Sequence, residues 1–353
     1  MVSPGPSALS DDTEVCLSLC HFSLRWVNGR TLLGYNRGMK RLAITMGEPG
    51  GVGPEVALRA ARECRALCTP VLVGDVRVWE AAGELIGVSP RESGFRVLDP
   101  RVLDSGGGVS FEKGRPTAGG GRASVQAIRR AVELALTGEV DAVVTAPISK
   151  EALRLAGFPW PGHTELLAEL TGTATYAMML VGGPLRVLLV TIHRALRDVP
   201  GLITRESVLR SLELARRAAE MLSLAEPRIA VAGLNPHAGE GGLFGDEEIS
   251  AIAPAVRDAR ARGIPASGPY PPDTLYHRAA QGEFDLVVSM YHDQGLIPVK
   301  LLAFDTGVNV TVGLPFVRTS PDHGTAYDIA WKGEANPSSM LEAVRLALSL
   351  KAA

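Results

Sequence analysis

Apolar and polar positions along the chain follow two periods. Short unbroken apolar runs closed by glycine, proline or polar residues read as buried strands: LAIT from position 42, VLVGD at 71–75, DAVVTAP at 141–147, AMMLVGG at 177–183, LRVLLVTIH ending at His193, IAVAGLNPH ending at His237, and Leu286-Val287-Val288. Between them ASVQAIRRAVELALTG carries apolar residues at helical spacing and stops at Gly138; RALRDVPGLIT begins another helix, and a last one closes the chain. Strands alternating with helices predict a parallel α/β sheet covered on both faces. The expected architecture is three-layer α/β/α in two subdomains, 39–150 with 300–353 and 151–299, with an active-site cleft between them. Residues 1–38 differ: Ser, Pro and Gly come first, then Asp11-Asp12, then CLSLCHFSLRWV, which His21 and Arg25 interrupt and no basic segment precedes. That is no signal peptide. With Met39 just before the first strand, 1–38 is expected to be a disordered or non-native tail.

Composition narrows the class. A chain of 353 residues with 46% hydrophobic and 21% charged residues is ordinary for a soluble enzyme of two subdomains. A net charge of -2 gives no electrostatic case for nucleic acid or an anionic membrane, and no apolar run is long enough to span a bilayer. Cys16, Cys20, Cys64 and Cys68 form pairs with three residues between them, neither a redox C-x-x-C nor a zinc knuckle. They read as idle thiols of a reducing cytoplasm.

The candidate chemistry lies at strand ends. His193, His237 and His292 each stand just past a buried apolar strand. One such histidine is ordinarily structural; three at equivalent places in a parallel sheet can meet at one rim and hold a divalent metal through neutral imidazoles. Lys300, Asn309 and Arg318 are poor core residues that make sense if they converge on one anion. His163 and Thr164 open a helix at Gly162-His163-Thr164-Glu165, where Thr164 is either a plain N-cap or part of an anion site. MGEPGGVGPE, after the first strand, is a tight strand–helix turn or a binding loop, but neither G-x-G-x-x-G nor a Walker A loop. Asp293 stands beside His292, and Asp273 in a Pro-rich turn.

MYHDQG, Lys300 and GVNVTVGLPFVRTSPDHGTA resemble the 4-hydroxythreonine-4-phosphate dehydrogenases of pyridoxal phosphate synthesis, as do GEPGGVGPE, GHTE and GLNPHAGEGG. The likeness runs from about Lys40 to the C-terminus, with departures at Ile192, Arg194-Ala195 and Phe244. HGTAYDIAWKGEANPSSM is similar to the adenosine-binding loop of isopropylmalate and isocitrate dehydrogenases; otherwise it is a loop before a helix capped by Asn336 or Ser338. The resemblance implies a fold like theirs and NAD, or NADP, held by His323, Gly324, Thr325, Ala326, Asp328 and Asn336. It implies a zinc, magnesium or cobalt ion on His193, His237 and His292, and substrate contacts from His163, Thr164, Lys300, Asn309 and Arg318, with Asp293 either orienting His292 or carrying the proton and Asp273 its rival in the proton role. It implies a homodimer with the site shared across its interface, His193 and His237 from one chain and His292 from the other. The implied reaction oxidises and decarboxylates 4-phosphooxy-L-threonine to 3-amino-2-oxopropyl phosphate, with hydride passing to the dinucleotide. The alternatives are a four-carbon sugar acid 4-phosphate as substrate, a phosphate acyltransferase on a similar fold, and a non-catalytic binding protein.

Overall fold

A computed structural model describes residues 25–27, 30–32, 38–100 and 110–352. Contacts divide the chain into Met1–Met39 and Lys40–Ala353. In the first unit β1 (Arg25–Val27) pairs antiparallel with β2 (Arg30–Leu32), where the sequence pattern predicts only a tail. The rest of that expectation, with Cys16 and Cys20, lies outside the described residues.

The second unit is built on one eleven-stranded sheet. Its strands are β3 (Arg41–Thr45), β4 (Thr69–Val73), β5 (Arg96–Leu98), β6 (Ala142–Thr145), β7 (Ala177–Gly182), β8 (Leu185–Leu189), β9 (Ile229–Ala232), β10 (Ala266–Tyr270), β11 (Leu286–Ser289), β12 (Val308–Val312) and β13 (Val317–Pro321). Their spatial order is β10-β9-β11-β8-β7-β12-β13-β6-β3-β4-β5. The helices are α1 (Gly53–Glu63), α2 (Val76–Ile86), α3 (Ala118–Leu136), α4 (Lys150–Leu155), α5 (His163–Thr171), α6 (Val199–Leu202), α7 (Arg205–Met221), α8 (Ala253–Ala261), α9 (Pro272–Ala280), α10 (His292–Ala303) and α11 (Ser338–Ser349). Strands such as β6 and β11 are buried along their whole length, as continuous apolar runs covered on both faces must be.

The sheet is not parallel throughout. Both wings are, but β7 runs antiparallel to β8 and to β12, and β12 antiparallel to β13. Gly182 pairs with Leu185, so only Gly183-Pro184 connects β7 to β8, far too short for a crossover, and Gly183 takes φ +53°. In sheet order, the boundary between the two expected subdomains falls between β7 and β12. Within the second unit the entry to β3 is tied to the end of α11: Lys40 Nζ donates to the carbonyls of Leu348 and Leu350 at 2.8 and 2.9 Å, a cation on the negative end of that helix.

Two features of this sheet position the site. The carboxyl ends of the adjacent parallel strands β8, β11 and β9 carry the three histidine loops. In the centre, Asn309 and Thr311 stand opposite Leu180 and Met178 and so share their face. Leu180 and Met178 pack in one apolar cluster with Leu296 and Val299 of α10, which puts Asn309, Thr311 and the helix bearing Lys300 on the same side.

Candidate active site

Arg318, on β13, is 1% exposed and has hydroxyl partners. Its Nε and Nη2 donate to Thr145 Oγ1 at 3.2 and 2.6 Å, and Nη1 donates to Thr311 Oγ1 at 2.9 Å. No ion pair joins it to a carboxylate among the described residues. Burial pushes its pKa down to about 9, so it stays charged at neutral pH. A buried charge facing only neutral hydroxyls is costly unless an anion completes it. His163 sits close to that guanidinium; burial first, and Arg318 second, hold its imidazole well below its ordinary pKa. His163 Nε2 and Asn309 Oδ1 are buried and have no hydrogen-bond partner among the described residues. Thr164 is buried in the first turn of α5, but Gly162 occupies the N-cap position, so the plain capping role does not hold. Lys300 reaches Asp322, with Nζ 3.2 Å from Oδ2 and donating to its carbonyl at 3.1 Å.

His193 and His292 have ring centroids 5.5 Å apart within one chain. Two imidazoles on one tetrahedral metal, bonded at about 2.1 Å, place their centroids about 5 Å apart, so this pair fits a shared ion. His193 is held below its ordinary pKa by burial, then by Lys150 and His292, against the opposing pull of Glu165. That keeps it neutral, as a ligand must be. His292 Nδ1 lies 2.7 Å from Asp293 Oδ1, which leaves Nε2 as the ligating nitrogen. His237 is exposed, and among the described residues no three His, Cys, Asp or Glu side chains form a metal-holding group in one chain. The resemblance implies His292 from across an interface from His193; within the one chain, adjacency of β8 and β11 already brings these two together. Asp273 stands exposed in the first turn of α9.

His237 is presented by an unusual turn. His237, Ala238, Gly239, Glu240 and Gly241 all have φ between 43 and 80°. Three of the five are not glycine, and each such residue costs about 1–2 kcal/mol in this conformation.

The glycine turn after β3 fits the chain's own backbone. A Cβ on Gly50 would lie 2.5 Å from the Arg115 carbonyl oxygen, and one on Gly51 would lie 2.8 Å from that of Thr325. Val52 N–H also donates to Thr325 at 2.9 Å. The loop from His323 to Asp328, which directly follows β13, thus rests against this turn. His323, Gly324 and Asp328 are exposed there, and Ala326 takes φ +42°. Trp331 pins the far side: Nε1 donates to the Pro49 carbonyl at 2.9 Å, its backbone N–H donates to buried Glu55, and its ring stacks on Phe111 with centroids 5.6 Å apart. Pro337, which has no side-chain cap bond, occupies the N-cap position of α11, so neither Asn336 nor Ser338 is the cap; Asn336 Oδ1 accepts from the Ser338 N–H at 3.0 Å just outside the helix. Beneath the turn Glu48 is completely buried; desolvation pushes its carboxyl up to about 7, although Ser124 Oγ and the Gly50 N–H donate to it. Of the cysteines, Cys64 and Cys68 are buried and free, and burial pushes the Cys68 thiol up to about 12.

The sequence model of the family described as pyridoxal phosphate biosynthetic protein PdxA matches residues 66–347. The chain belongs to the PdxA family. A 4-hydroxythreonine-4-phosphate dehydrogenase of Geobacter metallireducens is 51% identical over 322 residues, 88% of this chain and 95% of the relative. A D-threonate 4-phosphate dehydrogenase of Salmonella typhimurium is 45% identical over 323 residues, 88% and 99% of the two chains. The crystal structure of 4-hydroxythreonine-4-phosphate dehydrogenase from Klebsiella pneumoniae superposes with a TM-score of 0.78 at 44% identity, covering 89% of this chain and 98% of that one. Beyond the residues that PdxA motifs suggest, Thr145 and Thr311 hydrogen-bond Arg318 and Asp322 pairs with Lys300, contacts that motif reading missed. Thr311 is two residues from Asn309 and so on its face, the one signal available in sequence.

Proposed function

We propose that this chain is an NAD-dependent, divalent-metal-dependent 4-hydroxythreonine-4-phosphate dehydrogenase, acting in the cytoplasm as a homodimer on 4-phosphooxy-L-threonine. The observation that carries the reading is the fully buried Arg318, which has hydroxyl partners, among them Thr311 two residues along β12 from Asn309, and lies near His163, while Asn309 Oδ1 and His163 Nε2 have no partner among the described residues. Together with Lys300 and the first turn of α5, where Thr164 lies, these groups would bind a phosphorylated, carboxylate-bearing substrate. Asp322 balances Lys300 until substrate arrives.

His193 and His292 of one chain would hold the metal, completed by the exposed His237 of the partner. Exposed Ile297, Leu301 and Phe304, at helical spacing along and just beyond α10, are an apolar stripe that a second copy would cover. Asp293 fixes the His292 ring in its ligating tautomer, and Asp273 is the alternative proton carrier. His323, Gly324, Thr325, Ala326, Asp328 and Asn336 would hold the dinucleotide, on a loop beyond the carboxyl end of β13 and against the turn after β3. When bound, the metal (zinc, magnesium or cobalt) supplies Lewis acidity for ionising the substrate hydroxyl and stabilising the charge left by decarboxylation, and NAD or NADP the hydride acceptor. Arg318, Lys300 and Asn309 orient the substrate for both steps.

The test is NADH formation from 4-phosphooxy-L-threonine with and without chelator. Turnover that chelation abolishes and metal restores is expected; no turnover in either condition would remove the reading. The similarity to D-threonate 4-phosphate dehydrogenases at 45–48% identity supports a second substrate, and a competition between the two phosphates decides between them.

A further inference from the structure

The strained turn that presents His237 has a built anchor, Glu248. This carboxylate is 2% exposed. Oε1 accepts the backbone N–H groups of Leu234 and Asn235 at 2.7 and 2.8 Å, and Oε2 accepts from Asn235 Nδ2 at 2.9 Å. The turn is packed directly on it: a Cβ on Gly239 would stand 2.7 Å from Oε2, and one on Gly233 3.0 Å from Oε1. Glu248 therefore holds the entry to the turn by hydrogen bonds and lies close against its middle at Gly239. From the same place a chain of buried hydrogen bonds runs on to the other two histidines. Gln294 Nε2 donates to the Gly233 carbonyl at 2.7 Å, and Gln294 Oε1 accepts the Met290 N–H at 2.7 Å, two residues before His292. The Met290 carbonyl then accepts Thr191 Oγ1 at 2.8 Å and the Thr191 N–H at 3.1 Å, two residues before His193. Backbone held in an unfavourable region persists only where its surroundings over-determine it, and the surroundings here are this carboxylate and its network.

We propose that Glu248 is a positioning residue: it holds the left-handed turn of residues 237–241 and thereby sets the affinity of His237 for the metal. Glu248 touches neither substrate nor cofactor and acts only through the turn. The metal part of this proposal rests on the function proposed above; the part concerning the turn does not.

The experiment uses the full-length protein, stripped of metal, as wild type and as Glu248→Ala, Glu248→Gln, Glu248→Asp and His237→Ala. Two quantities are measured: amide hydrogen exchange without metal, and Co²⁺ binding followed by its visible absorption. Glu248→Ala should lose protection in residues 233–242 and keep it elsewhere. Its Co²⁺ affinity should fall about 10–100-fold, with a spectrum approaching that of His237→Ala. Glu248→Gln keeps an oxygen for the two backbone donors but turns an NH2 group toward Asn235 Nδ2, so its loss in both quantities should be smaller than that of Glu248→Ala but not zero. Should the alanine variant fail to fold, Glu248→Asp, one methylene shorter, should show an intermediate loss in both quantities. Unchanged protection and affinity in the variants that fold would overturn the proposal, and so would a loss of protection spread evenly over the chain. Wild-type protein that binds no Co²⁺, or binds it equally well after His237→Ala, would instead remove the metal reading, while exchange in residues 233–242 would still decide whether Glu248 holds the turn.

Discussion

Glu48→Gln should stabilise this protein at alkaline pH and leave it unchanged in acid. Glu48 lies under the glycine turn with no exposed surface, and desolvation raises its carboxyl from an ordinary 4.5 to about 7. The unfolded chain ionises this group near its ordinary value, whereas the folded chain keeps the proton until about 7. Below the lower value both states are protonated and Glu48 makes no difference to the pH dependence. Between the two, the folded state binds more protons, so stability falls as pH rises. Above about 7 both states are ionised, and the accumulated loss is constant. At about 1.4 kcal/mol per pKa unit, the shift corresponds to a loss of about 3 kcal/mol. Glutamine imitates the protonated acid in shape and never ionises. The variant should therefore match wild type near pH ~4 and exceed it by about 3 kcal/mol near pH ~8. Urea unfolding across this range, at fixed protein concentration and with chelator present, measures the difference. Glu55, His163 and His193 also shift but are common to both proteins, so they cancel. A difference that does not change with pH, or a variant no more stable than wild type in alkali, would refute the reasoning.

Two further outcomes are expected. Arg318→Ala should raise KM for the phosphorylated substrate far more than for NAD, because truncating one partner of a buried charge pair costs about 2–5 kcal/mol; an equal rise for both would make Arg318 structural. His193→Ala and His237→Ala, each inactive alone, should recover about a quarter of wild-type activity when unfolded and refolded together, since half the dimers are mixed and each has one intact site. His193→Ala with His292→Ala should recover nothing, because both ligands come from the same chain; recovery there would reverse the assignment.

Much of this protein is decided locally and was legible in sequence. Largely apolar runs mark β6, β8, β9 and β11 because a strand buried on both faces tolerates few polar positions. Gly138 and the GHTE segment place the end of α3 and the start of α5, because helix termini depend on a few adjacent residues. The ends of β8, β9 and β11 marked the three histidines for the same reason. What tertiary structure decided is everything that depends on which strands lie side by side. The pairing of β7 with β12 brings together residues more than a hundred positions apart, and no local period records it. That pairing puts Asn309 and Thr311 on the face of α10, and β13 beside β6 gives Arg318 its hydroxyl partner Thr145. Adjacency of β8 and β11 joins His193 to His292. Glu248, in a sequence an ordinary surface acid, is buried beneath a left-handed turn because the loop after β9 folds back over it. Side-chain chemistry is written in the residues, but the partners that give a buried charge its meaning are supplied by the register of distant strands.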